Sequence, residues 1–479
     1  MESRSIFKNL SPLDHRYYQS NKEIFDKLAL YISEEAGVAY CARAEIALLK
    51  THIELQEGND KDLLAALDGL EEKIDPEEVY KEEEKTQHNI RALVNVMNRL
   101  VPERLKPYVH MGATSVDILD TANSMKMRDA TRDVLLPMLI ELEEHLIRFA
   151  EDNAAVPQVG RTHGQHAVPV TLGYAFAEYV SRLGQSIEEI ERLSQDQRGK
   201  LAGAVGGYNA TSMMTSDPFK MEEIYLAHLG LKPSEYSTQM VEPEYLLRLF
   251  LEINTAFGII ANLADDLRHL QRSEIDEVRE YFSSTQVGSS TMPQKRNPWN
   301  CEHVKSLWKA FAPRVMSFYM DQISEHQRDL SNSASARFQA DYMAGFAAAV
   351  ARMNKILKGM TVNEERLMQN LREQGDMVLA EPTYILIAMG GINEGHEIVR
   401  RATMKCRETG KKLYEVLRED EPEVWETIKT QMKKITGMDG DEFYAKPELY
   451  RGKTVEKTLG LVEKYRAVCK DLNKTLGRG

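Results

Sequence analysis

Apolar residues recur at spacings of three and four over unusually long stretches of this chain. Between Glu244 and Glu274, which holds no proline, Leu246, Leu249, Ile253, Phe257, Ile260, Leu263, Leu267 and Leu270 fall on one face. At 1.5 Å per residue that stripe predicts a single helix of roughly 45 Å. Pro243 stands where a first-turn proline is tolerated. The same pattern returns in Leu172, Phe176, Val180, Leu183, Ile187 and Ile190, and again in Leu135, Met138, Leu142, Leu146 and Phe149. Glu302 to Gln327 and Phe338 to Leu357 also read as helical. The fold class expected is all-α, with three helical domains around a central long-helix bundle. Alternating runs rich in Val, Ile and Thr are not found, so strands are not expected. Turn and capping residues near Gly112–Ser115 and Thr361–Glu364 place the cuts. They divide the chain into residues 1–113, 114–362 and 363–479, the last mixing shorter helices with loops at Gly390-Gly391 and Asp439-Gly440.

Long apolar stripes often exceed what one subunit can cover, and packing against further copies is the natural remedy, so a homo-oligomer is expected. Composition then narrows the partners. The chain of 479 residues has a net charge of −13, which argues against a nucleic-acid surface. It leaves an anionic small substrate open, because a few arginines focused in a cleft outweigh a diffuse negative surface. No continuous apolar run reaches the ~18–20 residues that span a bilayer, so no membrane partner is expected. Met1 to Leu10 lacks the apolar core of a signal peptide. The four cysteines are far apart, without CxxC spacing. Reduced thiols in a cytoplasmic protein are the plain expectation.

Four polar segments interrupt the helical pattern and carry the candidate chemistry. The first is Gly288-Ser289-Ser290-Thr291-Met292-Pro293-Gln294-Lys295-Arg296-Asn297-Pro298. A structureless connection of this kind between helices is often a lid or binding loop. Serine becomes a usable base only where cations and N–H donors stabilise its alkoxide. Ser290, with Lys295 in the same loop, fits that need, whereas helix capping would require only one hydroxyl. The second is Gly160-Arg161-Thr162-His163-Gly164-Gln165-His166, read as leading into a helix near Pro169. Its two histidines have no nearby Asp, Glu or Cys to complete a metal site. One of them suits a general acid near neutral pH, and a histidine satisfied within its loop is the plainer alternative. The third is Tyr108-Val109-His110-Met111-Gly112-Ala113-Thr114-Ser115-Val116-Asp117. Thr114 and Ser115 can cap a helix, and a helix N-terminus also binds carboxylates. The fourth holds Arg328, Ser333 and Arg337, able to grip a phosphate or to form surface ion pairs. His88, and Arg16 beside Tyr17, say little alone.

Taken in order from Ser11 to Pro382, these segments resemble the adenylosuccinate lyase family of the fumarase/aspartase superfamily. The resemblance implies β-elimination of fumarate, with Ser290 as general base and His163 as general acid. It implies that Glu302 orients the acid and that Lys295 and Asn297 steady the carboxylates and the carbanion-like intermediate. His88 and His110 match further active-site histidines. Thr114, Ser115 and Gln239 match groups around the fumaryl part, and Ser289 and Met292 belong to the matched loop. Arg16, Tyr17, Arg328, Ser333 and Arg337 match a nucleotide phosphate grip. The family implies no metal or organic cofactor, and a homotetramer whose sites are shared between subunits. Two positions depart from its pattern. Gln294 stands where histidine or tyrosine is usual and is more like argininosuccinate lyase, and Asn89 stands where aspartate is usual. Argininosuccinate lyase or another fumarate-releasing lyase of the superfamily is one alternative, and a non-catalytic structural scaffold is the other; retention of Ser290, His163 and Lys295 argues against the scaffold.

Overall fold

The computed structural model describes residues 4–283 and 288–478. Met1, Glu2 and Ser3, part of the stretch read for a leader, lie outside the described residues. Helices dominate, as the periodicity predicts. The first long one, α1 (Glu34–Gln56), is capped by the Ser33 hydroxyl and packs with α2 (Asn89–Leu100) in a core of Leu48, Leu49, Ile53, Leu93 and Met97. Next comes α3 (Ser115–Ala130), which passes through a π-helical turn at Thr131–Leu135 into α4 (Leu136–Asp152). Together α3 and α4 run about 55 Å at 1.5 Å per residue.

A hairpin follows, with β1 (Pro157–Thr162) antiparallel to β2 (Gln165–Thr171). This corrects the expectation of a helix from Pro169 and of no strands. The turn residues His163 and Gly164 both have positive φ, 53° and 73°. That combination makes a two-residue turn whose twist matches paired strands. The strands are held from outside the hairpin. Glu277, fully buried, accepts from Arg161 Nη2 at 2.6 Å, Gln158 Nε2 at 2.8 Å and Asn370 Nδ2 at 2.9 Å.

The chain then returns through α5 (Leu172–Gln195), α6 (Glu244–Leu270), α7 (Trp299–Phe311) and α8 (Gln339–Gly359). The stripe read on α6 is the centre of the core, with Leu249, Phe250, Ile253, Phe257, Ile260, Leu263 and Leu267 buried, and α6 packs on α5, α7 and α8. By length and composition alone this helix is long and apolar enough to cross a membrane. No continuous run in the sequence suggested that, and its apolar face is occupied by neighbouring helices. The helix expected from Glu302 to Gln327 stops sooner. It tightens at Ala312–Arg314 around Pro313, which cannot donate a backbone hydrogen bond, and ends at Met320.

The C-terminal helices from Ala380 to Thr436 surround Trp425, Tyr444 and Phe443. The last long helix, α9 (Thr454–Thr475), packs instead on α4 and α5. There Gly184 leaves room for the Tyr465 ring, which a Cβ would approach to 2.2 Å.

Candidate active site

The long helices set the positions of everything that follows. At one end of the bundle, the start of α3 meets the segments before α6 and before α8. Thr114 caps α3 and donates its N–H to Asp117 Oδ2 at 2.7 Å. Asp117 is buried and forms an ion pair with the buried Lys200, while its Oδ1 also accepts from Ala202 N at 3.1 Å and Gly203 N at 3.2 Å. Glu222 fixes the same loop through Leu201 N and the Tyr208 hydroxyl, each at 2.7 Å. The start of α3 and the loop at Gly203–Asn209 are therefore locked together by buried charge. Ser115 lies in the first turn of α3.

Beside Thr114, His110 sits in a left-handed conformation, φ 61°, with Nδ1 2.6 Å from Glu45 Oε1. Burial works against its charge, but the Glu45 hydrogen bond and charge, helped by Asp117, raise its pKa above the ordinary histidine value. His88 is the N-cap of α2, its Nδ1 accepting from Arg91 N at 3.3 Å, which is the structural use of an isolated histidine. Asn89 accepts from its neighbour Ile90 at 2.8 Å.

Gln239 and Arg328 meet across the chain, Nη1 to Oε1 at 3.3 Å, with Gln239 N donating to Gln327 O at 3.2 Å. Arg328 Nε is buried without a hydrogen-bond partner among the described residues. Asp120 accepts from Val241 N at 3.0 Å, and burial pushes its carboxyl up to about 6, against the pull of Lys200 and Arg328. Ser333 and Arg337 line a cavity of about 410 Å³ together with Asn89, Asp120, Asn123 and Lys126. Burial lowers the Lys126 ammonium pKa, and Glu34 and Cys41 counter that only in part. Sequence reading passed over Lys126 because it lies in a regular helical stretch.

The opposite end of the bundle holds the loop at 288–298, the start of α7 and the hairpin. Gly288 is required by close packing, since a Cβ there would lie 2.1 Å from Lys295 O. Asn297 Nδ2 donates to Gly288 O at 3.0 Å and closes the loop at its base. Ser289 Oγ accepts from Met292 N at 3.1 Å and Thr291 N at 3.3 Å, so its hydroxyl is spent on the turn. Ser290 is exposed, and its hydroxyl makes no hydrogen bond to a described residue. Met292, Gln294, Lys295, Asn297 and Glu302 line one open hollow of about 1130 Å³ with Arg268, Arg272 and Arg279. His163 stands exposed at the hairpin tip.

Arg16 and Tyr17 belong to neither group. They lie in a π-helical turn at Leu13–Tyr17 that packs on α8, with the Tyr17 ring 5.7 Å from that of His303 on α7. The two ends are separated by the length of α6, about 40 Å at 1.5 Å per residue. One chain thus groups Thr114, Ser115, His110, Gln239, Arg328, Ser333 and Arg337 apart from Ser289, Ser290, Lys295, Glu302 and His163. Among the described residues, no group of three or more His, Cys, Asp or Glu is placed to hold a metal ion.

Solved structures share this architecture. A fumarate lyase from Mesorhizobium sp. BNC1 superposes with a TM-score of 0.77 at 22% identity, covering 91% of this chain and 97% of its own. A 3-carboxy-cis,cis-muconate lactonizing enzyme from Pseudomonas putida gives 0.77 at 24% identity, covering 92% and 97%. Residues 10–316 match the lyase family, and residues 324–439 match the adenylosuccinate lyase C-terminal family. Fold and matched segments define a lyase of the all-α, fumarase-like class. Among relatives, the adenylosuccinate lyase of Pyrococcus abyssi is 32% identical over 460 residues, covering 94% of this chain and 98% of its own. That of Thermotoga maritima is 34% identical over 358 residues, covering 73% and 80%. The chain belongs to the adenylosuccinate lyase family.

Proposed function

We propose that this enzyme releases fumarate from adenylosuccinate, giving AMP, and performs the same step on the succinylocarboxamide ribotide of purine synthesis. The observation that carries the reading is the family match along both parts of the chain, through the C-terminal segment that contains Arg328, Ser333 and Arg337. Arg328 with its unpartnered Nε, together with Ser333 and Arg337 at the same end, supports a phosphate grip there. Arg16 and Tyr17 complete that grip in this reading. Argininosuccinate has no phosphate and would leave those arginines idle. Gln294, which lies in the hollow with Lys295, is the one observation favouring it.

In the proposed reaction Ser290, as alkoxide, takes the proton from the succinyl carbon next to a carboxylate. The electron pair is held as an aci-carboxylate by Lys295 and Asn297, with Thr114, Ser115 and Gln239 around the fumaryl part. His163, oriented by Glu302, protonates the departing nitrogen as the C–N bond breaks. His88 and His110 serve as further site histidines, and Ser289 and Met292 shape the loop. No metal or organic cofactor takes part in this scheme. The ~40 Å between the two groups supports a homotetramer in which a complete site draws on more than one subunit. Residues 1–113, 114–362 and 363–479 remain our proposed domain division.

The test is fumarate absorbance with adenylosuccinate and, separately, with argininosuccinate. Turnover of only the latter overturns the substrate assignment. A second experiment mixes subunits carrying Ser290→Ala with subunits carrying Arg328→Ala, each inactive by itself. Shared sites restore part of the activity, because some sites receive neither substitution. No recovery from verified mixed oligomers rejects the sharing.

A further inference from the structure

The turn Tyr108–Met111 is pinned to the first helix and its C-cap at three points. The Tyr108 hydroxyl donates to Glu57 Oε1 at 2.6 Å, the carbonyl of Met111 is 3.0 Å from His52 Nε2, and His110 Nδ1 meets Glu45. The His52 and Tyr108 rings also stack, with centroids 5.4 Å apart. Such fixing exceeds what a loop before a helix needs.

Glu45 is the least expected member. Its side chain is fully buried, and its Oε2 has no hydrogen-bond partner among the described residues. A buried carboxylate is costly unless it is paired, and replacing it by an apolar side chain is often neutral or stabilising. At 2.6 Å the contact with His110 is slightly shorter than the ~2.7–2.9 Å of a charge-assisted N–H···O bond, and well short of a neutral one. His110 carries a cost of its own, since a non-glycine residue in the left-handed region is strained. With Nδ1 turned inward, Nε2 lies on the opposite edge of the ring, claimed by no described residue, and the side chain is 23% exposed. The charged groups acting on this imidazole are Glu45 from α1, Asp117 from α3 and Arg91 from α2. Burial and Arg91 oppose its cation, and the two carboxylates favour it strongly enough to outweigh both.

We propose that Glu45 is a positioning residue that holds His110 as an imidazolium, with Nε2–H presented to a carboxylate of the substrate beside Thr114. His110 is then a cationic hydrogen-bond donor and not a base. The inference rests on the fumarate-releasing reading of this site, and it assigns the ligand chemistry, a small dicarboxylate, to one named atom.

The experiment uses fumarate as the probe, with binding measured by calorimetry on the full oligomer from about pH 6 to pH 8.5. Glu45→Gln keeps an acceptor for Nδ1 but removes the charge. Fumarate affinity in this variant should fall as pH rises, to at least about ten-fold below the parent at pH 8, and recover toward the parent near pH 6. That is a downward move of the histidine midpoint by about one unit or more. The alkaline limb of kcat/KM should move down with it. A pH profile identical to the parent, or a loss equal at every pH, overturns the proposal, because a purely structural role has no such acid rescue. If Glu45→Gln does not fold, a second pair of variants decides. His110→Lys should bind fumarate better than His110→Gln if a cation is what the position supplies, and equal loss in both overturns it. These arms do not depend on which succinyl compound is the substrate, so failure of the adenylosuccinate assay leaves them readable.

Discussion

The two ends of the bundle are built in opposite ways. Around Thr114 the backbone and side chains are tied into one network through Asp117, Lys200, Glu222 and Glu45, most of them buried. Around Lys295, among the described residues, the loop is held by its own short-range bonds, Asn297 to Gly288 at its base and Met292 and Thr291 to Ser289 in its turn, and Ser290 and Lys295 are exposed. The difference follows from what each end would do in the proposed reaction. Groups that recognise fixed substrate charges gain from preorganisation. A base that must approach the substrate and exclude water would gain from a segment that closes over it.

The contrast can be broken most strongly at the fixed end. Lys200→Met leaves Asp117 as an uncompensated buried charge, and removing one partner of such a pair costs roughly 3–5 kcal/mol. Denaturant unfolding should show that loss, with activity falling as the start of α3 loosens. An unchanged unfolding midpoint would mean that the pair does not hold this end together.

At the open end the effect should appear in turnover and not in stability. Ser290→Ala should cut kcat at least ~10²-fold, the low end for losing a general base, with an unchanged melting curve. Ser289→Ala, whose hydroxyl only serves the turn, should cost less. The reverse order of the two variants would exchange their assignments.

The smallest effect is a pH dependence at the fixed end. Asp120 has its pKa raised to about 6 from an ordinary 3.8, first by burial. Between those values the folded state keeps a proton that the unfolded state has released. Stability therefore falls as pH rises from about 4 to about 6 and stays at the lower level above that. Asp120→Asn should remove this slope and be relatively more stable than the parent at pH 7 than at pH 4. Parallel stability curves for the two proteins across that range would show that Asp120 does not titrate as described.

Much of this molecule was legible in its sequence, and the unreadable parts share a cause. The α6 stripe, the Thr114 and Asp117 cap, and the loop from Gly288 to Pro298 are local patterns, fixed by residues within a few positions of one another. The hairpin was missed because its strands are short, and their buried anchor Glu277 lies over a hundred residues from Arg161. Its turn did carry a faint signal in His163-Gly164, a pair tolerant of positive φ. Glu45 and His110 are 65 residues apart, and Lys200 and Asp117 are 83 apart. Nothing in local periodicity says that two distant charges will be buried together, because that cost is settled only when packed helices exclude water from both. By itself the sequence determined most of the long helices and the family, and it supplied the proposed cuts and the proposed reactive side chains. Only the tertiary structure decided that one chain holds the two halves of its candidate site at opposite ends of rigid helices too long to bend them together.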